Sequence, residues 1–114
     1  AYTRAANILA AEQKKDGTTY AAASLDETLL TELAEKDLYS ALTKQTTAIT
    51  EALGAEDYAE AMRAFAALKD PIDTFFEQVL VNSDDTNLRQ NRLSLLATII
   101  ETMGNVADFS KLSG

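Results

Sequence analysis

The sequence predicts an all-α protein, an antiparallel bundle of about five helices, and three observations support this prediction. Only one Pro and four Gly occur among the 114 residues, whereas Ala, Leu and Glu, which favour helices, are abundant. Apolar residues recur three or four positions apart along most of the chain, which is the spacing of one helix face. Short polar turns separate these stretches, as expected for neighbouring helices of a bundle.

Six segments fit the helical spacing, and the second of them is only a short turn. They comprise residues 2–15, 25–30, 32–53, 56–68, 71–80 and 85–106. Local signals predict several of their ends. Gly17 suits the left-handed position after the first helix, and Ser24 with Glu27 has the pattern of a capping box. Asp70 is predicted to be an N-cap, with Pro71 in the first helical position.

Each predicted helix has one apolar face, and these faces are expected to form a single core. The side chains predicted to face inward include Leu38, Leu42, Ile49, Leu53, Tyr58, Met62, Phe65, Leu68, Ile72, Phe75, Phe76, Leu95, Leu96 and Ile99. Phe75 and Phe76 also have the chemistry of a stacking platform for RNA bases. Their helical spacing with Ile72 and Val79 favours the core for at least one of the two.

Composition argues against several classes of function. The chain has no Cys and no His, which removes the thiolate nucleophile, the commonest general base and the commonest zinc ligand. We therefore expect no catalytic residue, no bound metal and no cofactor in this domain. The net charge of −8 disfavours non-specific binding to DNA or to an anionic membrane. No apolar run is long enough to cross a bilayer.

Arg92 interrupts the apolar face of the last predicted helix. It lies on the same face as Leu95 and Ile99, where an aliphatic side chain would be expected. The structural interpretation is an ion pair with a carboxylate of the preceding helix, Asp73 or Glu77, because the planar guanidinium binds carboxylates in a bidentate manner.

A functional interpretation of the same region is RNA binding. Asn82, Arg89, Asn91 and Arg92 form a cluster that offers hydrogen-bond donors to phosphates or to base edges. The residue pattern leaves both interpretations of Arg92 open. In an acidic chain such a cluster would have to act locally, with other parts of the molecule supplying most of the attraction to phosphates.

Four segments of the chain resemble a known family. They are RAANIL (residues 4–9), PIDTFFEQVLVN (71–82), LRQNRLSLL (88–96) and NVADFSKL (105–112). Together they resemble the C-terminal end of the beta subunit of bacterial glycyl-tRNA synthetases. The central part, residues 18–66, is similar to that family only in its general character.

The resemblance implies an all-helical anticodon-binding domain of the type named after an Asp-Ala-Leu-Arg signature. The nearest string here, TNLR at 86–89, matches only the last two residues of that signature. Members of the family are cytoplasmic heterotetramers of two alpha and two beta subunits, with amino-acid activation in the alpha subunit. Residues 1–114 would then be a single domain, the C-terminal fragment of a longer subunit.

The partners implied by the resemblance are the anticodon region of tRNA(Gly), the remainder of the beta subunit and the alpha subunit. This interpretation agrees with the expected lack of catalytic residues. The alternative is a bundle that docks its acidic surface on protein partners and contacts no RNA.

Overall fold

The computed structural model describes residues 2–79, 81 and 84–113, and describes residues 2 and 105–113 by their backbone alone. In this part of the chain there are five α-helices, two short 3-10 turns and no strand. The helices are α1 (Tyr2–Asp16), α2 (Leu33–Gly54), α3 (Tyr58–Ala66), α4 (Lys69–Gln78) and α5 (Thr86–Ser113); the 3-10 turns are Ala22–Ser24 and Glu27–Leu29. The predicted all-α fold class is confirmed, although α5 extends beyond its predicted end at residue 106.

The main core is formed by α1, α2, α4 and α5. Its buried side chains include Ala5, Leu9, Leu38, Leu42, Leu68, Ile72, Leu93, Leu95, Leu96 and Ile99. α4 packs on α2, whereas α5 packs on α1, α2, α3 and both 3-10 turns. Consecutive helices α4 and α5 are therefore not each other's principal neighbours, and this determines which residues meet α5. None of the described helices is long and apolar enough to cross a membrane.

Phe75 and Phe76 both belong to the main core, with exposed fractions of 0% and 8%. Their ring centroids lie 5.6 Å apart in a tilted arrangement, which is favourable for an aromatic pair. The guanidinium carbon of Arg4 lies 4.7 Å from the centroid of the Phe76 ring, so a cation–π contact joins α1 to α4. The predicted core role is confirmed, and neither ring is available to stack on a base.

A smaller apolar cluster holds α3 against α2. It comprises Ile49, Ala52 and Leu53 of α2 with Ala61 and Ala64 of α3. The prediction that Tyr58 and Met62 face inward was wrong, because these side chains are 39% and 50% exposed. Two alanines three positions apart occupy the contact instead, since small side chains allow a shorter distance between helix axes.

Two predicted helix starts were wrong in detail. α4 begins at Lys69 with Leu68 in the N-cap position, so Asp70 lies in the first turn and Pro71 in the third helical position. Pro is tolerated there because the first four N–H groups of a helix have no intrahelical acceptor.

The second wrong prediction is the capping box at Ser24, which does not form there. The carboxylate of Asp26 caps the second 3-10 turn by accepting from the N–H of Thr28 at 2.9 Å. The capping box occurs at the start of α2, where Glu32 and Glu35 exchange side-chain and backbone hydrogen bonds. The signal at Gly17 holds, because Gly17 has a φ of 67°. The carboxylate of Asp85 caps α5 by accepting from the N–H groups of Asn87 and Leu88.

We predict that Ala61→Leu destabilises the protein by about 1–3 kcal/mol, because a larger side chain overpacks the contact between α3 and α2. Ala59→Leu, at an exposed position of the same helix, is the matched control and should change the unfolding free energy by less than about 0.5 kcal/mol. Urea unfolding of the three proteins measures the difference. Equal stability of the two variants would contradict the close approach of α3 to α2.

Candidate nucleic-acid interface

The N-terminal half of α5 holds the polar residues that the sequence singled out. Asn91, Arg92 and Ser94 are all buried, and Arg89 has a side-chain exposure of 14%. Buried polar groups of this kind need hydrogen-bond partners. The partners come from three different elements, and together they determine the shape of this face of the molecule.

Arg92 forms a buried ion pair with Glu35 of α2. The Nη2 atom of Arg92 lies 3.0 Å from Oε1 of Glu35, and the side-chain exposures are 6% and 0%. The same Oε1 accepts from the backbone N–H of Glu32 at 3.1 Å, which is part of the capping box of α2. Oε2 of Glu35 is buried and accepts no hydrogen bond from any residue described in the structure.

The predicted ion pair of Arg92 is thus confirmed, but both predicted partners were wrong. Asp73 pairs with Lys69 on the surface of α4, with Nζ and Oδ2 3.1 Å apart, and Glu77 is exposed. The reason is the packing order, because α5 lies against α2 and not principally against α4. Glu35 had its own sequence signal: it precedes Leu38 by three positions and so interrupts the apolar face of α2.

Asn91 connects α5 to the segment between α1 and α2. Its side-chain oxygen accepts from the backbone N–H of Asp26 at 2.7 Å. Its side-chain nitrogen donates to the carbonyl oxygen of the same residue at 3.0 Å. Both polar groups of one backbone position are therefore satisfied by one side chain, which fixes this segment on α5.

Arg89 connects α5 to the C-terminal end of α1. Its Nη2 atom contacts carboxylate oxygens of Glu12 and of Asp16, the latter at 2.8 Å. The hydroxyl of Tyr20 donates to Asp16 at 2.6 Å and lies 3.4 Å from Nη1 of Arg89. The Tyr20 hydroxyl and then the Arg89 guanidinium lower the pKa of Asp16, while Asp16 raises the pKa of Tyr20. The two carboxylates raise the pKa of Arg89 further above its ordinary value.

Asn82, the fourth residue of the predicted RNA-binding cluster, lies outside the described residues. The other three lie within one turn of α5, but each is engaged by the protein itself. A direct contact of Arg92 with RNA would require an ion pair between two buried side chains to open. The RNA-binding role of the cluster stays a prediction.

A groove of about 370 Å³ lies beside these contacts, between α5 and residues 18–29. On the α5 side it is lined by Asn87, Gln90, Asn91 and Ser94, whose spacing of three, one and three positions places them on one helix face. The opposite wall includes Tyr20 and Asp26. Sequence reasoning missed this groove, although the run of amide and hydroxyl side chains along α5 was a visible signal.

The residues that line the groove are mostly polar and almost all uncharged. Asp26 is the one ionisable carboxylate among its lining residues, and no lining residue is cationic. Hydrogen bonds from the hydroxyl and then the backbone N–H of Thr28 lower the pKa of Asp26, so this carboxylate is ionised at neutral pH. In the described part of the chain, no group of three or more acidic side chains has an arrangement that suits a metal ion.

The fold and this face define a small helical binding domain. Residues 1–109 match the DALR anticodon binding domain family, and the chain belongs to that family. Over its whole length of 114 residues it is 46% identical to the glycine–tRNA ligase beta subunit of Rhodospirillum centenum (strain ATCC 51521 / SW). Over 113 residues, 99% of the chain, it is 44% identical to the glycine–tRNA ligase beta subunit of Ruegeria sp. (strain TM1040).

These comparisons confirm the family resemblance seen in the four sequence segments. The chain spans 16% of the length of each of the two relatives. No solved structure matches the chain significantly.

We predict that Arg92→Ala lowers the unfolding free energy by about 3–5 kcal/mol, because it leaves the carboxylate of Glu35 buried without its cation. The double variant Arg92→Leu with Glu35→Leu should be markedly more stable than Arg92→Ala, since no buried charge remains. Urea unfolding of Arg92→Leu, Glu35→Leu and their double variant measures the coupling between the two residues. Additive effects of the two substitutions would contradict the ion pair.

A second prediction concerns acid stability. Because the pKa of Asp16 is lower in the folded protein than its ordinary value of 3.8, its ionised form stabilises the fold fully above that value. The contribution is lost as the pH falls through the lower, folded-state pKa. The stability difference between the parent and Asp16→Asn should therefore be largest at neutral pH and should shrink below about pH 4.

The matched control for this experiment is Asp37→Asn, which removes an exposed carboxylate of α2. Urea unfolding at a series of pH values gives the stability of each variant. A difference between the parent and Asp16→Asn that stays constant down to about pH 2 would contradict the interpretation.

Proposed function

We propose that the chain is the anticodon-binding domain of a glycine–tRNA ligase beta subunit and contacts the anticodon region of tRNA(Gly). The main support for this proposal is that a family match and a match to a relative cover nearly the same residues of the chain. The family match covers residues 1–109, and the glycine–tRNA ligase beta subunit of Rhodospirillum centenum aligns over the entire chain. The proposed domain needs no cofactor of its own and acts in the cytoplasm.

The net charge of −8 limits how such a domain can bind RNA. Non-specific affinity for nucleic acid depends on cations that neutralise phosphates, and this chain has 10 Lys and Arg residues against 18 Asp and Glu residues. We therefore propose that the domain contributes selectivity through local contacts. The remainder of the beta subunit and the alpha subunit supply most of the attraction to the tRNA backbone.

The residues of the predicted cluster have different roles in this proposal. Asn82 is proposed to contact RNA directly. Arg89, Asn91 and Arg92 are positioning residues, because their side chains hold α1, the segment around Asp26 and α2 in place around the groove. Substituting them would then affect binding through the shape of this face.

The alternative, a protein-docking bundle, has one feature in its favour. Tyr58 and Met62 present exposed apolar surface on α3, and neither lines the groove. Because the chain spans only 16% of its relatives, we propose that this face meets the remainder of the beta subunit. In this proposal the exposed face of α3 contacts protein and the groove side of the domain contacts RNA. Docking and RNA binding are therefore compatible.

The proposed function predicts selective binding of an RNA hairpin. In a nuclear magnetic resonance titration at low salt, the anticodon stem-loop of tRNA(Gly) should shift resonances of residues 18–29 and of the N-terminal half of α5. A stem-loop with another anticodon should shift them far less, and Tyr58 and Met62 should be unaffected by either RNA. Equal shifts with both RNAs, or shifts confined to α3, would contradict the proposal.

A further inference from the structure

The groove between α5 and residues 18–29 has the chemistry of a site for an uncharged ligand. It contains one carboxylate and no cation, so no positive charge in its lining attracts a phosphate group. Its walls are fixed before any ligand arrives, because Asn91 hydrogen-bonds both backbone groups of Asp26 across the groove. Its volume of about 370 Å³ falls within the range of small-molecule sites.

Two side chains at the groove carry unused hydrogen-bonding capacity. Asn87 and Gln90 are exposed, and the structure shows no hydrogen bond from either side-chain amide to another described residue. Each amide offers two donors and one acceptor oxygen. They lie three positions apart on α5, so both are presented to the same ligand.

An aromatic ring completes the lining. Tyr20 is half-buried at the groove, and its hydroxyl is held by Asp16 and lies beside Arg89. The ring is therefore anchored at its polar end, and it also packs against the main core, so its position beside the groove is fixed. An aromatic ring beside donors and acceptors is the combination by which proteins bind an unstacked base of single-stranded RNA.

We propose that this groove holds one unstacked nucleobase of the anticodon loop, with Asn87 and Gln90 bonded to the edge of the base and the Tyr20 ring against it. The assignment rests on the proposed function. It adds the site of contact and three residues, Asn87, Gln90 and Tyr20, all of which lie outside the cluster predicted from the sequence.

The groove also selects among bases. The carboxylate of Asp26 can only accept hydrogen bonds at neutral pH, so it favours a base with an exocyclic amino group. Cytosine, adenine and guanine carry such a group and uracil does not.

The test compares variants of the 114-residue chain in binding the tRNA(Gly) anticodon stem-loop. The double variant Asn87→Ala with Gln90→Ala removes two hydrogen bonds and should bind at least about tenfold more weakly than the parent. Gln78→Ala removes an exposed amide at the end of α4 and is the matched control, with unchanged affinity. Both groove positions are exposed, and unchanged circular dichroism spectra and urea midpoints verify that every variant is folded.

A second arm identifies the bound base. Each amino-bearing base of the anticodon is replaced in turn by uracil, and affinities are measured for the parent and for the double variant. At one position the replacement should weaken binding to the parent by clearly more than it weakens binding to the double variant, because the base is held less firmly against Asp26 once Asn87 and Gln90 are gone. Additive effects at every position would overturn the assignment of a base to the groove.

The outcomes separate the two proposals. If the parent binds the tRNA(Gly) stem-loop selectively and the double variant binds equally well, the groove assignment is wrong and the proposed function stands. If the parent discriminates against no other stem-loop, or binds none even at millimolar RNA, the proposed function falls and the groove assignment falls with it.

Discussion

The buried ion pair between Arg92 and Glu35 constrains the rest of the structure more than any single apolar contact. Removing two charges from water costs several kcal/mol for each ion, and the cost is offset only when the geometry is favourable and further hydrogen bonds are formed. Here the second requirement is met at one oxygen, because Oε1 of Glu35 also caps α2 through the N–H of Glu32, whereas Oε2 accepts no hydrogen bond from a described residue. The start of α2 and its packing against α5 therefore depend on the same carboxylate, and neither can shift without disturbing the other.

One turn of α5 directs contacts to three other elements. Successive residues of a helix point about 100° apart, so Arg89, Asn91 and Arg92 reach α1, the segment around Asp26 and α2 respectively. Apolar packing tolerates small rotations of a helix, whereas these polar contacts depend on direction. The polar turn thus fixes the rotation of α5, and with it the side of the helix on which Asn87 borders the groove.

Features that depend on residues close together in the sequence were predicted well, whereas contacts between distant segments were not. Apolar spacing is local, so the helices and most of the core were predicted correctly. Arg92 was detected as an anomaly, but finding its partner required knowing that α5 packs on α2, which no local pattern reveals; Glu35 on the apolar face of α2 was the matching anomaly. The start of α4 differs from the prediction by two residues because Pro71 is compatible with several positions of a first turn. On α3, Ala61 and not the larger Met62 faces α2.

An acidic domain in an RNA-binding role is physically consistent if affinity and selectivity come from different parts of the molecule. Phosphate contacts supply sequence-independent attraction and depend on cations, whereas base edges are distinguished by hydrogen bonds that need no net charge. A preformed groove lined by amides rejects a base that leaves those groups unpaired, because their desolvation is then uncompensated. In our proposal, Asn87 and Gln90 provide that discrimination. The net charge of −8 strengthens it, because weak non-specific attraction leaves a wrong anticodon little affinity of its own.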